Sequence, residues 1–208
     1  MGILAFLHRP EPPAPLEIPL FPLRTVLFPE GLLPLKVFEQ RYMDMVATCM
    51  KTKTPFGVCL IASGGETGAA AQPHDVGTLA EITSCDMEQL GILLLTVKGG
   101  RRFRIKATTV AGDQLLTATV DLLPAAPPQP LPAERRRLLP LLHKVVNDLG
   151  SERIGTPHRF DDAEWVGNRI TEILPVQNLA KQKLLELDDP LARLEILEKY
   201  LDQRHLLS

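Results

Sequence analysis

Pro124-Ala-Ala-Pro-Pro-Gln-Pro-Leu-Pro132 decides the architecture. Each of its five prolines removes a backbone donor and fixes φ, so the stretch is neither helix nor inner strand but an extended connector. Hydrophobic period changes across it, from two on the amino-terminal side to 3.6 on the carboxy-terminal side. Charge does not: 11 basic residues stand against 12 acidic ones before Pro124, and 12 against 13 from it onward. The reading is an α+β chain with a β-rich domain over 1–123, a proline-rich connector over 124–132 and an α-helical bundle over 133–208.

Before the connector, Leu16, Ile18 and Leu20 share one face of a strand, and Leu33, Leu35 and Val37 share another. Pro19 and Pro34 put those strands at sheet edges or bulges. Phe56–Ala62 and Gly91–Val97 are near-continuous apolar runs, as in strands covered on both sides. Gly99-Gly100 is expected to form a tight turn between Ile92–Lys98 and Arg101–Val110, and Ala111-Gly112-Asp113 to lead into Leu115–Leu122. Consecutive antiparallel strands with short links predict a closed or partly closed barrel, or two packed sheets. One helix interrupts them over Glu39–Lys53, where Phe38, Tyr42, Met45, Val46 and Cys49 recur at helical spacing.

After the connector the apolar stripe Leu138, Leu139, Leu142, Val145, Val146 and Leu149 predicts the longest helix, kinked near Pro140 and closed by Gly150. Asp161 with Glu164 reads as a capping box for a helix ended by Pro175. Asn178 reads as the cap of a short helix, and Asp189-Pro190 as a cap followed by a first-turn proline.

The 208 residues are 45% apolar and 23% charged, with a net charge of -2. That excludes disorder and a broad basic field for nucleic acid or anionic lipid. Cys49, Cys59 and Cys85 make an odd set without a Cys-x-x-Cys pair, inside apolar stretches, which suits reduced thiols and a cytoplasmic location. The start Met1–Pro10 is too short in apolar run for a signal peptide, and Phe6 breaks a myristoylation motif at Gly2. No stretch has the ~18 apolar residues of a spanning helix.

Little in the sequence announces a reaction. A Walker loop needs Gly-Lys, which never occurs. Ser63–Gly68 reads as a surface loop rather than an anion nest. Ser63, Ser84, Ser151 and Ser208 stand outside any Gly-x-Ser-x-Gly elbow, and His8, His74, His143, His158 and His205 never form a close metal-binding pair. No cofactor or metal is expected. The acidic pairs Asp161-Asp162 and Asp188-Asp189 suit helix starts. In the basic run Lys98, Arg101, Arg102, Arg104, Lys106, a strand would line one face with Arg102, Arg104 and Lys106 and turn Phe103 and Ile105 inward, as a solvated face or a grip on RNA phosphates.

Pro19-Leu-Phe-Pro-Leu-Arg24, Leu27-Phe-Pro-Glu-Gly31 and Leu33-Pro-Leu-Lys-Val-Phe-Glu-Gln-Arg-Tyr42 resemble the N-terminal, substrate-binding domain of Lon proteases. Phe56-Gly57-Val58, Val76-Gly-Thr-Leu-Ala80 and Gly100-Arg-Arg-Phe-Arg-Ile105 follow in that family's order, and Leu184–Leu197 looks like its helical end. The resemblance implies a PUA-like antiparallel pseudo-barrel with one inserted helix, then a helical bundle. It also implies a stand-alone member, since these residues hold neither the ATPase nor the peptidase module of Lon. On that ground the chain is expected to be a non-catalytic polypeptide-binding or adaptor module for unfolded or tagged polypeptides, working with a separate protease, as monomer or homodimer. Arg24, Phe28, Phe38, Glu39, Arg41 and Tyr42 are the candidate binding residues. Packing is the competing account: Phe28, Phe38 and Tyr42 as core, and Glu39 or Arg41 as a buried ion pair fixing strand to helix. The alternative function is an RNA-binding PUA-like module using Arg102, Arg104 and Lys106, which the net charge disfavours.

Overall fold

A computed structural model describes residues 16–150 and 153–207, with Glu88 described through its backbone alone. The expectations for Met1–Pro10, including Gly2, Phe6 and His8, and those for Ser151 and Ser208 lie outside the described residues.

The strands are β1 Leu16–Leu23, β2 Leu32–Val37, β3 Phe56–Ser63, β4 Gln72–Gln89, β5 Ile92–Val110 and β6 Leu116–Leu122, with helix α1 over Gln40–Thr52 between β2 and β3. They form one six-stranded sheet in the order β2-β5-β4-β3-β1-β6, and β5 also pairs with β6, so five strands close on themselves. The sheet is not wholly antiparallel as expected: β1 runs parallel to β3, from Leu20↔Gly57 to Leu23↔Leu60. A parallel pair needs a long crossover, and the segment carrying β2 and α1 supplies it. Pro19 falls where β1 has β6 alone beside it, and Pro34 lies on the edge strand β2, so neither deprives an inner ladder of a donor.

Gly99-Gly100 is not a turn. β5 runs through it, and the hairpin turn is Leu90-Gly91, with Gly91 at φ 83. Gly99 serves a close approach instead. A Cβ there would collide with the Phe28 carbonyl oxygen, and the 28–31 turn docks on β5 through Glu30 N to Gly99 O at 2.7 Å and Gly99 N to Gly31 O at 2.8 Å.

The sheet buries two main apolar groups. Under α1 lie Phe21, Tyr42, Met45, Val46, Phe56, Leu95 and Val97. Within the closed part lie Ile18, Leu20, Cys59, Phe103, Leu116 and Val120.

Residues 124–132 are extended, and Pro130 bridges to Asp162, with Leu131 N donating to Asp161 O at 2.7 Å. Then come a 3-10 segment Ala133–Leu138, α2 Leu139–Leu149, α3 Ala163–Ile173, α4 Asn178–Glu186 and α5 Pro190–Gln203. The stripe read as the longest helix is split, because Pro140 confines α-helical geometry to the residues around and after it; α5, with 14 residues, is longer than α2, with 11. The cap of α3 is Asp162, whose carboxylate accepts from Trp165 N, one residue beyond the Asp161 expected. Gln177, not Asn178, caps α4, and the Asn178 amide donates to Arg24 O instead. Asp189 caps α5 ahead of Pro190 as read. Trp165, Val166, Ile170, Leu138, Leu142, Leu194, Leu197 and Leu201 form the helical core.

Polar side chains tie helices to sheet. Arg102, expected on a solvated face, is buried: Nη1 donates to Leu185 O at 2.7 Å and Leu187 O at 3.0 Å, and Nη2 to Asp188 at 2.9 Å. Arg169 donates to Pro29 O at 2.7 Å and Gln182 to Val76 O at 2.9 Å. Buried carbonyls left by loops need donors, and these side chains supply them. No helix among the described residues is long and apolar enough to cross a membrane.

Candidate functional site

α1 begins where β2 runs out of partners. Val37 is its last paired residue, Phe38 turns outward at 54% exposure, and Glu39 takes extended geometry at the N-cap without capping through its side chain. The Glu39 carboxylate instead pairs with Arg41 at 3.0 Å and accepts from Gly68 N at 3.4 Å in the β3–β4 loop. Arg41 is buried; it donates to Gln114 O at 2.8 Å and lies over the Tyr42 ring, 4.6 Å from its centre. Tyr42 stacks on Phe21 with ring centres 4.1 Å apart, and burial raises its hydroxyl pKa against the opposing pull of Arg41.

The six candidate residues thus separate. Phe28 is fully buried with Val26, Leu60, Val76 and Leu185, in another apolar group from Tyr42. Phe28 and Tyr42 are core, as the packing account held, whereas Phe38 is not. The ion pair Glu39–Arg41 is real, but both members belong to the start of α1, and their outward ties reach the 111–115 turn and the β3–β4 loop rather than a strand. Arg24 is exposed and anchors that loop: its N donates to Glu66 Oε1 at 2.5 Å and its guanidinium to Gly64 O at 3.2 Å. Ser63 ends β3, and the rest of the segment, Gly64–Gly68, is a surface loop as read.

Two hollows flank this start. A shallow one of about 60 Å³ is lined by Phe38, Glu39, Tyr42, Glu66 and Thr67. A wider one of about 290 Å³ is lined by Gln40, Arg41, Asp44, Gly68, Asp113 and Gln114. A third, of about 450 Å³, opens at the far end of α1 beside β4. Sequence reasoning missed Gln114 and Glu66, whose roles depend on loop closure, and the β4 flank, whose polar alternation Glu81-Ile82-Thr83 was the available signal.

Burial raises the pKa of all three thiols, most strongly that of Cys59, so each is held as the poorly nucleophilic thiol. His158 meets Ile154 O at 3.2 Å and packs with Phe160 and Trp165, and His143 packs edge-on against Phe160. Among the described residues no histidine is hydrogen-bonded to a serine, a thiol or a carboxylate, and no group of three His, Cys, Asp or Glu is placed to hold a metal. What the surface around α1 offers is an exposed aromatic ring, amide and carboxylate groups, and open hollows.

The family model of the ATP-dependent protease La (LON) substrate-binding domain matches residues 17–203. A Lon N-terminal domain protein from Xanthomonas campestris is similar in crystal structure, with TM-score 0.75 and 34% identity, covering 89% of this chain and 98% of that one. The N-terminal domain of Mycobacterium avium complex Lon protease has a similar fold, with TM-score 0.64 and 18% identity, covering 90% and 98%. No curated protein matches.

Proposed function

The chain belongs to the Lon substrate-binding domain family, and from that premise we propose that it is a non-catalytic module that holds unfolded or tagged polypeptides, an adaptor able to present them to a separate protease. Phe38 carries the reading. A large aromatic ring 54% exposed, on the wall of a hollow it shares with Leu23, Tyr42, Glu39 and Glu66, is an anchor point for an apolar side chain of another polypeptide. Arg24, Glu39 and Glu66 around it supply polar contacts, while Arg41 and Tyr42 hold the helix start in place.

The RNA reading has less support. Arg102 is committed to Leu185, Leu187 and Asp188, and Lys106 pairs with Asp121 at 2.8 Å, which leaves Arg104 of the three residues for a phosphate.

Fluorescence anisotropy of labelled, reduced and alkylated lysozyme, an unfolded polypeptide, tests the proposal. Wild type is expected to bind it and Phe38→Ser to bind at least tenfold more weakly. No binding by wild type, or equal binding by both, would refute it.

A further inference from the structure

β4 outlasts its neighbour. β3 pairs with β4 only as far as Phe56↔Ala80, where β3 begins, whereas β4 continues to Gln89 with β5 alone beside it. From Glu81 to Met87 the flank turned away from β5 therefore has no strand against it, and its outward N–H and C=O groups meet no backbone partner among the described residues. The register with β5 slips once along this stretch, between Ile82 and Ser84, so Ile82, Cys85 and Met87 share one face and Glu81, Ser84 and Asp86 the other. At the strand rise this flank is about 20 Å long, an ordinary strand length. The cleft of about 450 Å³ runs beside it, with Met50, Lys53 and Pro55 on one wall and Ile82, Ser84 and Cys85 on the other. A chain laid there would continue the line of β3.

The sheet has a second bare edge, on β2, but Pro34 and Lys36 stand in it, residue types that discourage strand addition. Glu81–Met87 contains neither proline nor lysine, and beyond the slip between Ile82 and Ser84 its run Ser84–Met87 is regular.

The two faces of this flank define what it takes. Ile82 and Cys85 lie on the side of α1, packed against the group containing Val46 and Cys49. Met50 on α1 is 49% exposed and Met87, on the same side by alternation, 64% exposed. Flexible thioethers suit apolar side chains of varied shape. On the opposite side Ser84 and Asp86 share a hollow with Lys36, Leu94 and Thr96, and the register puts Glu81 on that side too. Glu81 and Asp86 are exposed and make no ion pair among the described residues, and Lys98 stands opposite Glu81 in the β4–β5 register. Residues directly opposite on an added strand would sit ~4.5–5.5 Å away, where basic side chains meet the Glu81 and Asp86 carboxylates.

We propose that the free flank of β4 between Glu81 and Met87 takes an extended polypeptide segment as an added strand, with apolar side chains toward α1 and basic ones on the other side. This rests on the polypeptide-holding reading above and deepens it by naming the surface and the kind of segment.

The probe is a fluorescein-labelled octapeptide of alternating valine and lysine, with two isomers N-methylated either on every valine or on every lysine. In a strand all valines turn their N–H groups to one lateral side and all lysines to the other, so one methylated set blocks the ladder to β4 and the other does not. The parent peptide is expected to bind and to displace unfolded lysozyme. One isomer is expected to bind within threefold of the parent and the other at least tenfold more weakly, and the E81K/D86K double variant to bind the parent at least tenfold more weakly. Equal behaviour of the two isomers, or unchanged binding by E81K/D86K, overturns the proposal. If lysozyme binds but the peptide neither binds nor displaces it, this proposal falls and the polypeptide-holding function stands; if lysozyme does not bind either, both fall.

Discussion

The carboxyl group of Glu172 on α3 fills the space that a side chain at Gly31 would need: a Cβ there would collide with Glu172 Oε1 and lie 3.1 Å from Phe28 O. The 28–31 turn is wedged between β5, through Gly99, and α3, through Arg169 and Pro29. Gly31→Ala is therefore expected to destabilise the chain by about 1–3 kcal/mol, the usual cost of overpacking. Urea unfolding checks this as a lower midpoint at unchanged slope; an unmoved midpoint would contradict it.

Glu172 also makes stability depend on pH. Burial pushes its carboxyl up to about 7 against the pull of Arg169 and Lys181. The unfolded value is about 4.3, so between these pH values the folded chain keeps a proton that the unfolded chain has lost. This contribution to stability is complete below about pH 4.3 and is lost as pH rises through 7, by at most about 4 kcal/mol. Unfolding free energy is expected to fall from pH 5 to pH 8, and Glu172→Gln to flatten that slope. The same slope in both proteins would show that the group does not titrate there.

Arg102 and Arg104, two residues apart on β5, are expected to respond oppositely. Arg102→Met removes three hydrogen bonds joining β5 to the last turn of α4 and the residues after it and leaves the Leu185 carbonyl short of a donor, at a cost of about 2–4 kcal/mol. Arg104 is exposed, and Arg104→Met should stay within about 0.5 kcal/mol. Denaturant titration separates them, and comparable losses would deny Arg102 its bridging role.

The aromatic residues at the start of α1 should likewise divide. Tyr42→Ser removes a ring stacked on Phe21 and is expected to cost about 3–5 kcal/mol, in line with large-to-small core substitutions. Phe38→Ser should cost no more than about 1 kcal/mol, because its ring is half in water already. Thermal unfolding of the two variants is the check; a similar fall in both would make Phe38 a packing residue.

Much of the fold was legible because it depends on local rules. Alternation placed β2 at its observed bounds, helical spacing placed α1, and Asp189-Pro190 announced α5. The errors came where contacts distant in sequence override local preference. Gly99-Gly100 has turn composition, yet its lack of side chains serves the approach of Phe28, about seventy positions away. Arg102 has a solvent residue's chemistry, but carbonyls at the end of α4 and just beyond it required a buried donor. Of the candidate site, the motif around residue 38 marked the right helix start; it did not distinguish Phe38, exposed, from Tyr42, buried, since both stand beside the same strand end and differ only in which way the backbone turns them. The bare flank of β4 follows from β3 being shorter than β4, a difference that appears only once register is known.

Hydrogen–deuterium exchange of the full chain, with and without reduced and alkylated lysozyme, tests the central claim most directly. Slower exchange at residues 38–44 around the start of α1 and at residues 81–87 on β4, with the amides of α2 and α5 unchanged, is the predicted result. Exchange unaltered throughout, or slowed only in the helical half, would contradict it.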